Sequence, residues 1–332
     1  MSPRTRTTKT TRTLGALLAL TLVSSACTAL PAKRRATQRA DSRERIELAK
    51  TLTEQGRFED ALHELELAIA ENPTLTVAHL QAGEIYKLAG NFDAAETSFR
   101  RAAYLQPDSI DTQYNLGLIL QLNRDAAGAA RAYNHALAID PYHFESNLNI
   151  ATTYLQLDQP LQALPFARRA VALDDTHGPA RANLGATLAS LGRHAEAISE
   201  YQAAAERMDL TSPLLLNLAD SLGKTQRYRE MATTLERLVE IDPTPQAFER
   251  LGYARFKLEQ FNEAIDSFRR SLSLDATHYP ALNGVGVCML NQWILSNQQD
   301  PEILRLAIES LRNSIRINNQ QPRVIDLLNR YS

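Results

Sequence analysis

Acidic residues are missing from the first forty positions. No Asp or Glu precedes Asp41, while Arg4, Arg6, Lys9, Arg12, Lys33, Arg34, Arg35 and Arg39 all do. The whole chain carries −2, so with those eight cations set aside residues 41–332 carry about −10. An acidic body of this kind argues against nucleic acid as the main partner. Cysteine is nearly absent as well. Cys27 and Cys288 are the two present, and they define no disulfide framework. Aromatics make up 6% of the chain, with a single tryptophan at Trp293. Packing is therefore left to alanine and leucine, which suits helices that meet through small side chains. No apolar run reaches the roughly 20 residues that a membrane-spanning helix needs.

Signatures of catalysis are also lacking. Gly223-Lys224-Thr225 resembles the end of a phosphate-binding loop, but Leu218 stands where its first glycine belongs. His63-Glu64 has no second histidine to complete a zinc-protease helix, and no Gly-x-Ser-x-Gly elbow occurs. His143, His177 and His278 lie a repeat or more apart, too far for one metal ion whose ligands sit about 2 Å away. They read as surface histidines in loops. Cys288 reads as a small buried residue. The expectation is a protein that is not an enzyme, with no metal and no cofactor.

What is present begins with the N-terminal segment. Arg4, Arg6, Lys9 and Arg12 form a basic region ahead of an apolar stretch at residues 14–23. This has the form of a targeting segment over residues 1–26. Ser24-Ser25-Ala26 then leads into Cys27. Small residues immediately before a cysteine resemble the bacterial lipobox, although Ser24 stands where its common form has leucine. That resemblance implies cleavage before Cys27 and lipidation of its sulfur, with palmitate among the acyl chains. Thr28 follows the cysteine rather than an aspartate, which favours an outer membrane over an inner one. Residues 27–41 then form a tether whose Lys33, Arg34, Arg35 and Arg39 can lie against anionic headgroups.

Behind the tether the chain repeats itself. Residues 76–109 read as helix, short turn, helix, stop, and the pattern returns every 34 residues. A small residue recurs late in the first helix of each unit: Ala49, Gly83, Gly117, Ala151, Gly185, Ala219, Gly252 and Gly286. The second helix answers with Ala61, Ala95, Ala129, Ala163, Ala197, Met231, Ala264 and Ala307. Close approach of the two helices at these positions accounts for the small side chains, and Met231 should loosen the sixth unit locally or be accommodated by a shifted helix. A third series, Ala68, Ala102, Ala136, Ala170, Ala204, Leu238, Ser271 and Ser314, is expected to face the first helix of the next unit. Pro73, Pro107, Pro141 and Pro243 stop the second helix.

Leu-Gly or Leu-Ala in the first helix, Ala-x-x-x-(Phe/Tyr/Leu)-x-x-Ala in the second, and a closing proline resemble the tetratricopeptide repeat. The resemblance covers residues 42–321 as eight copies, starting near 42, 76, 110, 144, 178, 212, 245 and 279. It implies an all-α solenoid of helix-turn-helix units coiled into a right-handed superhelix, with the first (A) helices lining a concave face. About nine extra residues between Met289 and Ala307 imply a lengthened A helix and a longer loop in the last copy. Residues 322–332 form an amphipathic capping helix, with Val324, Leu327 and Leu328 on one side. Trp293 and this tail offer a second docking surface.

One polar series keeps the same register. Asn115, Asn149, Asn183 and Asn217 recur one repeat apart on the A helices, with Gln81 before them and Arg250 after. Asparagine is less favourable than alanine in a helix by roughly 0.5 kcal/mol. A carboxamide has donors and an acceptor, so a ladder of them can grip the backbone of an extended peptide. The row resembles the asparagine ladder of the nucleocytoplasmic O-linked N-acetylglucosamine transferase, whose catalytic domain has no counterpart here. Bonds between adjacent repeats are the alternative role for these residues. Gln113, Tyr114, Glu84, Lys87, Gln121, Thr152, Gln156, Asp220 and Tyr253 are further candidates for the concave face. The lysines and arginines of a carboxylate clamp for a free C-terminus are not found.

The expected function is that of a lipid-anchored adaptor of the bacterial envelope, binding a protein or an extended peptide. The alternative is a structural or assembly subunit of an envelope complex, as in type IV pilus assembly, that uses the convex face and the C-terminal region.

Overall fold

The structure, a computed structural model, describes residues 41–332. The leader, Cys27 and the basic tether lie outside the described residues. Those residues form seventeen helices, and no strand occurs among them. Helix α1 covers 41–54. It is followed by α2 (Phe58–Glu71), α3 (Thr76–Leu88), α4 (Phe92–Leu105), α5 (Ile110–Leu122) and α6 (Ala126–Ile139). Next come α7 (Phe144–Gln156), α8 (Pro160–Leu173), α9 (Gly178–Ser190), α10 (His194–Ala205), α11 (Ser212–Lys224) and α12 (Tyr228–Ile241). The chain ends with α13 (Pro245–Lys257), α14 (Phe261–Leu274), α15 (Tyr279–Leu295), α16 (Pro301–Ile317) and α17 (Pro322–Tyr331). Odd-numbered helices through α15 are A helices, and their even-numbered successors are B helices. The chain divides into two compact units, one ending at Asp140 and the other running from Pro141 to Ser332.

The A–B contact within a repeat rests on a ring lying against a glycine. A Cβ placed on Gly83 would stand 2.8 Å from the Phe99 ring, and one on Gly117 would stand 2.5 Å from the Tyr133 ring. Gly185 meets Tyr201 and Gly252 meets Phe268 at 2.7 Å in the same way. Repeats one, four and six carry alanine beside a smaller partner, Ala49 with Leu65, Ala151 with Ala167 and Ala219 with Leu235, while repeat eight keeps glycine against leucine, Gly286 with Leu311. The expected close approach of the two helices is seen at Gly286, where a Cβ would also stand 3.1 Å from the carbonyl oxygen of Ala307 in the alanine series. The space is taken by the large B-helix side chain four residues further on. Met231 is buried, and Gly223 leaves room for its sulfur, 3.1 Å from where a Cβ would be.

The series ending in Ser271 and Ser314 also makes bonds within its own repeat. Ser271 Oγ donates to the Pro245 carbonyl at 2.8 Å and Ser314 Oγ to that of Tyr279 at 3.3 Å. Both bonds go to the first residue of the A helix in the same repeat, and Ser314 Oγ also accepts from Gln321 Nε2, at the start of the following helix, at 2.9 Å. The turns between repeats are tied by a device that sequence reading missed. The fourth residue of an A helix reaches back to a carbonyl six positions earlier. His79 reaches Pro73, Gln113 reaches Pro107, Asn147 reaches Pro141 and Arg181 reaches Asp175. Only a donor of suitable length is required, so the residue type varies.

Helix starts follow ordinary capping chemistry. Asn91, Ser109, Asp125 and Thr244 accept from the backbone N–H three residues on. His143 and His177 do the same through Nδ1, at 3.2 and 3.1 Å. They are half-buried caps rather than free surface histidines, and His177 also packs edge-on against Phe144. Most A–B turns need one residue at positive φ. Gly56, Gly90 and Gly192 supply it in three, and Arg124, Asp158, Gln226 and Glu259 adopt it at φ between 55° and 63° in four more. Those four accept a local strain that glycine avoids.

In the last repeat, α15 and α16 are each 17 residues long, against 13 and 14 in a regular pair such as α5 and α6. The extra length is thus shared by both helices and the turn, whereas the sequence suggested the A helix and loop alone. Helix α17 buries Val324, with Leu327, Leu328 and Tyr331 half-buried around it. Cys288 is fully buried, and burial pushes its thiol up to about 12. No helix among the described residues is long and apolar enough to cross a membrane.

Candidate functional site

The polar row lies at one register of successive A helices. Gln81 and Asn115 belong to the first unit, and Asn149, Asn183, Asn217 and Arg250 to the second. Gln81 is half-buried, and its carbonyl oxygen has no partner within the protein. Asn115 and Asn149 are half-buried. Asn183 Nδ2 donates to the Leu148 carbonyl at 3.0 Å and to Thr152 Oγ1 at 2.7 Å. It therefore ties α9 to α7, the structural role open to this register. Arg250 has the same role further along, bridging α13 to α11 through Asp220 at 2.7 Å. Asn217 stands between them, exposed, with no hydrogen bond inside the protein. Its donors and acceptor are all available to a ligand.

Asn217, Asp220 and Arg250 line one open groove of about 580 Å³ on the A-helix side of repeats five to seven. Tyr201, Tyr253, His194, Lys224 and Glu249 line it too. Tyr253 is 43% exposed and packs edge-on against Tyr228, which holds its ring in place. Tyr201 is almost wholly buried, and its phenol is pushed upward by burial and then by Asp220. Burial also raises the Glu249 carboxyl above the usual range, an effect that nearby Arg250 partly offsets. Glu249 forms no salt bridge or hydrogen bond.

Sequence reasoning missed Glu249, yet a signal was there. Its register holds Ile46, Leu80, Tyr114, Leu148, Ala182 and Leu216 in the earlier repeats. A carboxylate in a row of mostly apolar side chains is out of pattern.

Several other candidates are committed to internal contacts. Gln113 is buried, with its amide on Pro107, so it does not face a groove. Gln121 accepts from the Tyr133 hydroxyl at 3.0 Å, and Glu84 pairs with Lys87 at 2.6 Å. Trp293 is half-buried and lies edge-on to Tyr331 of α17, ring centroids 6.1 Å apart. No cluster of His, Cys, Asp and Glu among the described residues could hold a metal ion.

Stacked helix pairs that present a polar groove, with side-chain bonds linking one A helix to the next, define a repeat scaffold of the kind that binds other proteins. Tetratricopeptide repeat profiles match residues 52–116, 148–211, 212–245 and 245–278, which together are more than half of the sequence. The chain belongs to the tetratricopeptide repeat family. Curated proteins yield no match. Among solved structures it resembles a tetratricopeptide repeat protein from Parabacteroides merdae, with 17% identity and a TM-score of 0.54 over 75% of this chain and 99% of that one. It also resembles PilF of Pseudomonas aeruginosa, with 17% identity and a TM-score of 0.53 over 62% of this chain and 94% of the other. Identity this low speaks for the fold alone.

Proposed function

We propose that this protein is a lipid-anchored adaptor of the bacterial envelope that holds an extended peptide or protein segment on its A-helix face and performs no catalysis. The observation that carries the binding assignment is the groove around Asn217. An exposed carboxamide with no internal partner sits beside the fixed Arg250–Asp220 pair and the exposed ring of Tyr253. Such a surface offers backbone-directed hydrogen bonds and one aromatic contact, the elements of recognition of an extended segment. The acidic charge of residues 41–332 disfavours nucleic acid. The anchor rests on the basic leader, the short apolar run and Cys27. Acyl chains contribute about 0.8 kcal/mol per buried methylene, and two or more make attachment stable. An outer membrane is the favoured site.

Two experiments test this. Cys27→Ser should move the protein from the membrane fraction to the soluble fraction on cell fractionation. Retention of the serine variant in the membrane would remove the lipid anchor from the account. For the groove, a photo-crosslinking amino acid at Asn217 should yield a partner adduct in intact cells. The same group at Arg270, exposed on the B helix α14, should yield none. Adducts from Arg270 alone would move binding off the A-helix face.

A further inference from the structure

Glu249 is a costly residue to place where it is. Its register on α1, α3, α5, α7, α9 and α11 is Ile, Leu, Tyr, Leu, Ala and Leu. The carboxylate is half-buried and has no partner within hydrogen-bond reach. The neighbouring Arg250 is engaged with Asp220, and Lys224, which lines the same groove, forms no salt bridge. A partly desolvated carboxylate with no direct ion pair, its nearby Arg250 being tied to Asp220, lowers stability, and side chains in that state are usually found paired. The groove holds a second polar group without a partner. In repeat three the buried Tyr133 donates its hydroxyl to Gln121. In repeat five Ala189 stands at the Gln121 register, and the matching Tyr201 donates to nothing in the protein. Tyr253 adds an exposed ring at the same groove.

We propose that the groove formed by α9, α11 and α13 selects a basic side chain, lysine or arginine, of the bound segment, with Glu249 as its counter-ion and Tyr253 as the ring it lies against. This rests on the reading of the A-helix face as a peptide groove and names what that groove prefers. A cation entering it supplies the charge that Glu249 lacks, and its aliphatic stem covers apolar wall. Of the groove's cations, Arg250 is held by Asp220 and Lys224 forms no ion pair with Glu249, so neither occupies the carboxylate. The net negative charge of residues 41–332 draws basic segments toward the surface and repels acidic ones.

The experiment is selection of random dodecapeptides displayed on phage, run in parallel on the full chain, on Glu249→Gln and on Glu249→Lys, with thermal melting of all three. The wild-type chain should enrich peptides that share a lysine or arginine at one register. Glu249→Gln should bind synthesised copies of those peptides at least about tenfold more weakly, and Glu249→Lys should reject them. Glu249→Gln should melt at the same temperature or higher, because no internal bond is lost, whereas a structural carboxylate would give a lower melting point. Equal enrichment of basic peptides on wild type and Glu249→Lys would overturn the cation site and leave the peptide groove standing. Wild-type enrichment without a basic register would do the same. Failure of the wild-type chain to enrich any peptide would overturn both.

Discussion

Gly117→Ala should lower stability by about 1–3 kcal/mol, the range for overpacking a filled core, and Tyr133→Leu in the same chain should restore most of it. The reason is the distance already noted: a methyl on Gly117 would lie 2.5 Å from the Tyr133 ring, well inside contact. Neither backbone nor ring can yield freely, because Tyr133 is fully buried and its hydroxyl is tied to Gln121. Repeats one and six show the alternative solution. There alanine faces leucine, Ala49 with Leu65 and Ala219 with Leu235, and all four are fully buried. The double variant recreates that pairing in repeat three. Tyr133→Leu alone should also be destabilising, since it leaves a gap over Gly117 and strands Gln121. The two changes should therefore couple by about 1 kcal/mol or more in a double-mutant cycle of denaturant unfolding. Hydrogen exchange in α5 and α6 would place the loss in that repeat. Additive effects would show that glycine and ring are not partners.

That pairing also shows how much of the molecule could be read from its residues. The repeat period was legible because every unit solves the same local packing problem, so Gly83, Gly117, Gly185 and Gly252 recur in step with Phe99, Tyr133, Tyr201 and Phe268. The size of each side chain was visible, but which of two B-helix rows lay over the glycine was not. That depends on how the helices are rotated about their axes. The carbonyl ties made by His79, Gln113, Asn147 and Arg181 were hidden for a different reason. Four chemically unlike residues do one job, so no pattern of residue type marks it. In the candidate site the asparagine row was legible as a period. That Asn183 commits its amide to Leu148 and Thr152 while Asn217 makes no internal bond was not, since Thr152 and Leu148 lie about one repeat upstream in sequence. Glu249 was legible in principle. It breaks a row of otherwise mostly apolar residues, but it lies one position before the asparagine register, whose period is the stronger pattern.

The central claim, that the A-helix face binds a segment of another protein, is tested most directly by Asn183→Ala combined with Asn217→Ala. Magnitudes separate binding from folding here. Losing the Asn183 bonds costs about 0.5–1.5 kcal/mol, and replacing asparagine by alanine in a helix offsets roughly 0.5 kcal/mol at each site. Asn217 has no internal bond to lose. The net change in unfolding free energy should stay within about 1 kcal/mol. Binding should suffer far more, because Asn217 loses donors and an acceptor that no internal bond uses, and Asn183 loses the carbonyl oxygen that its two internal amide bonds leave over. The measurement is capture of the crosslinked partner by wild-type and doubly substituted chains, beside their unfolding curves. The account predicts a drop in capture of about tenfold or more, equivalent to at least about 1.4 kcal/mol, with nearly unchanged unfolding. Undiminished capture alongside a clear loss of stability would contradict it and leave the asparagine row as a structural link between repeats.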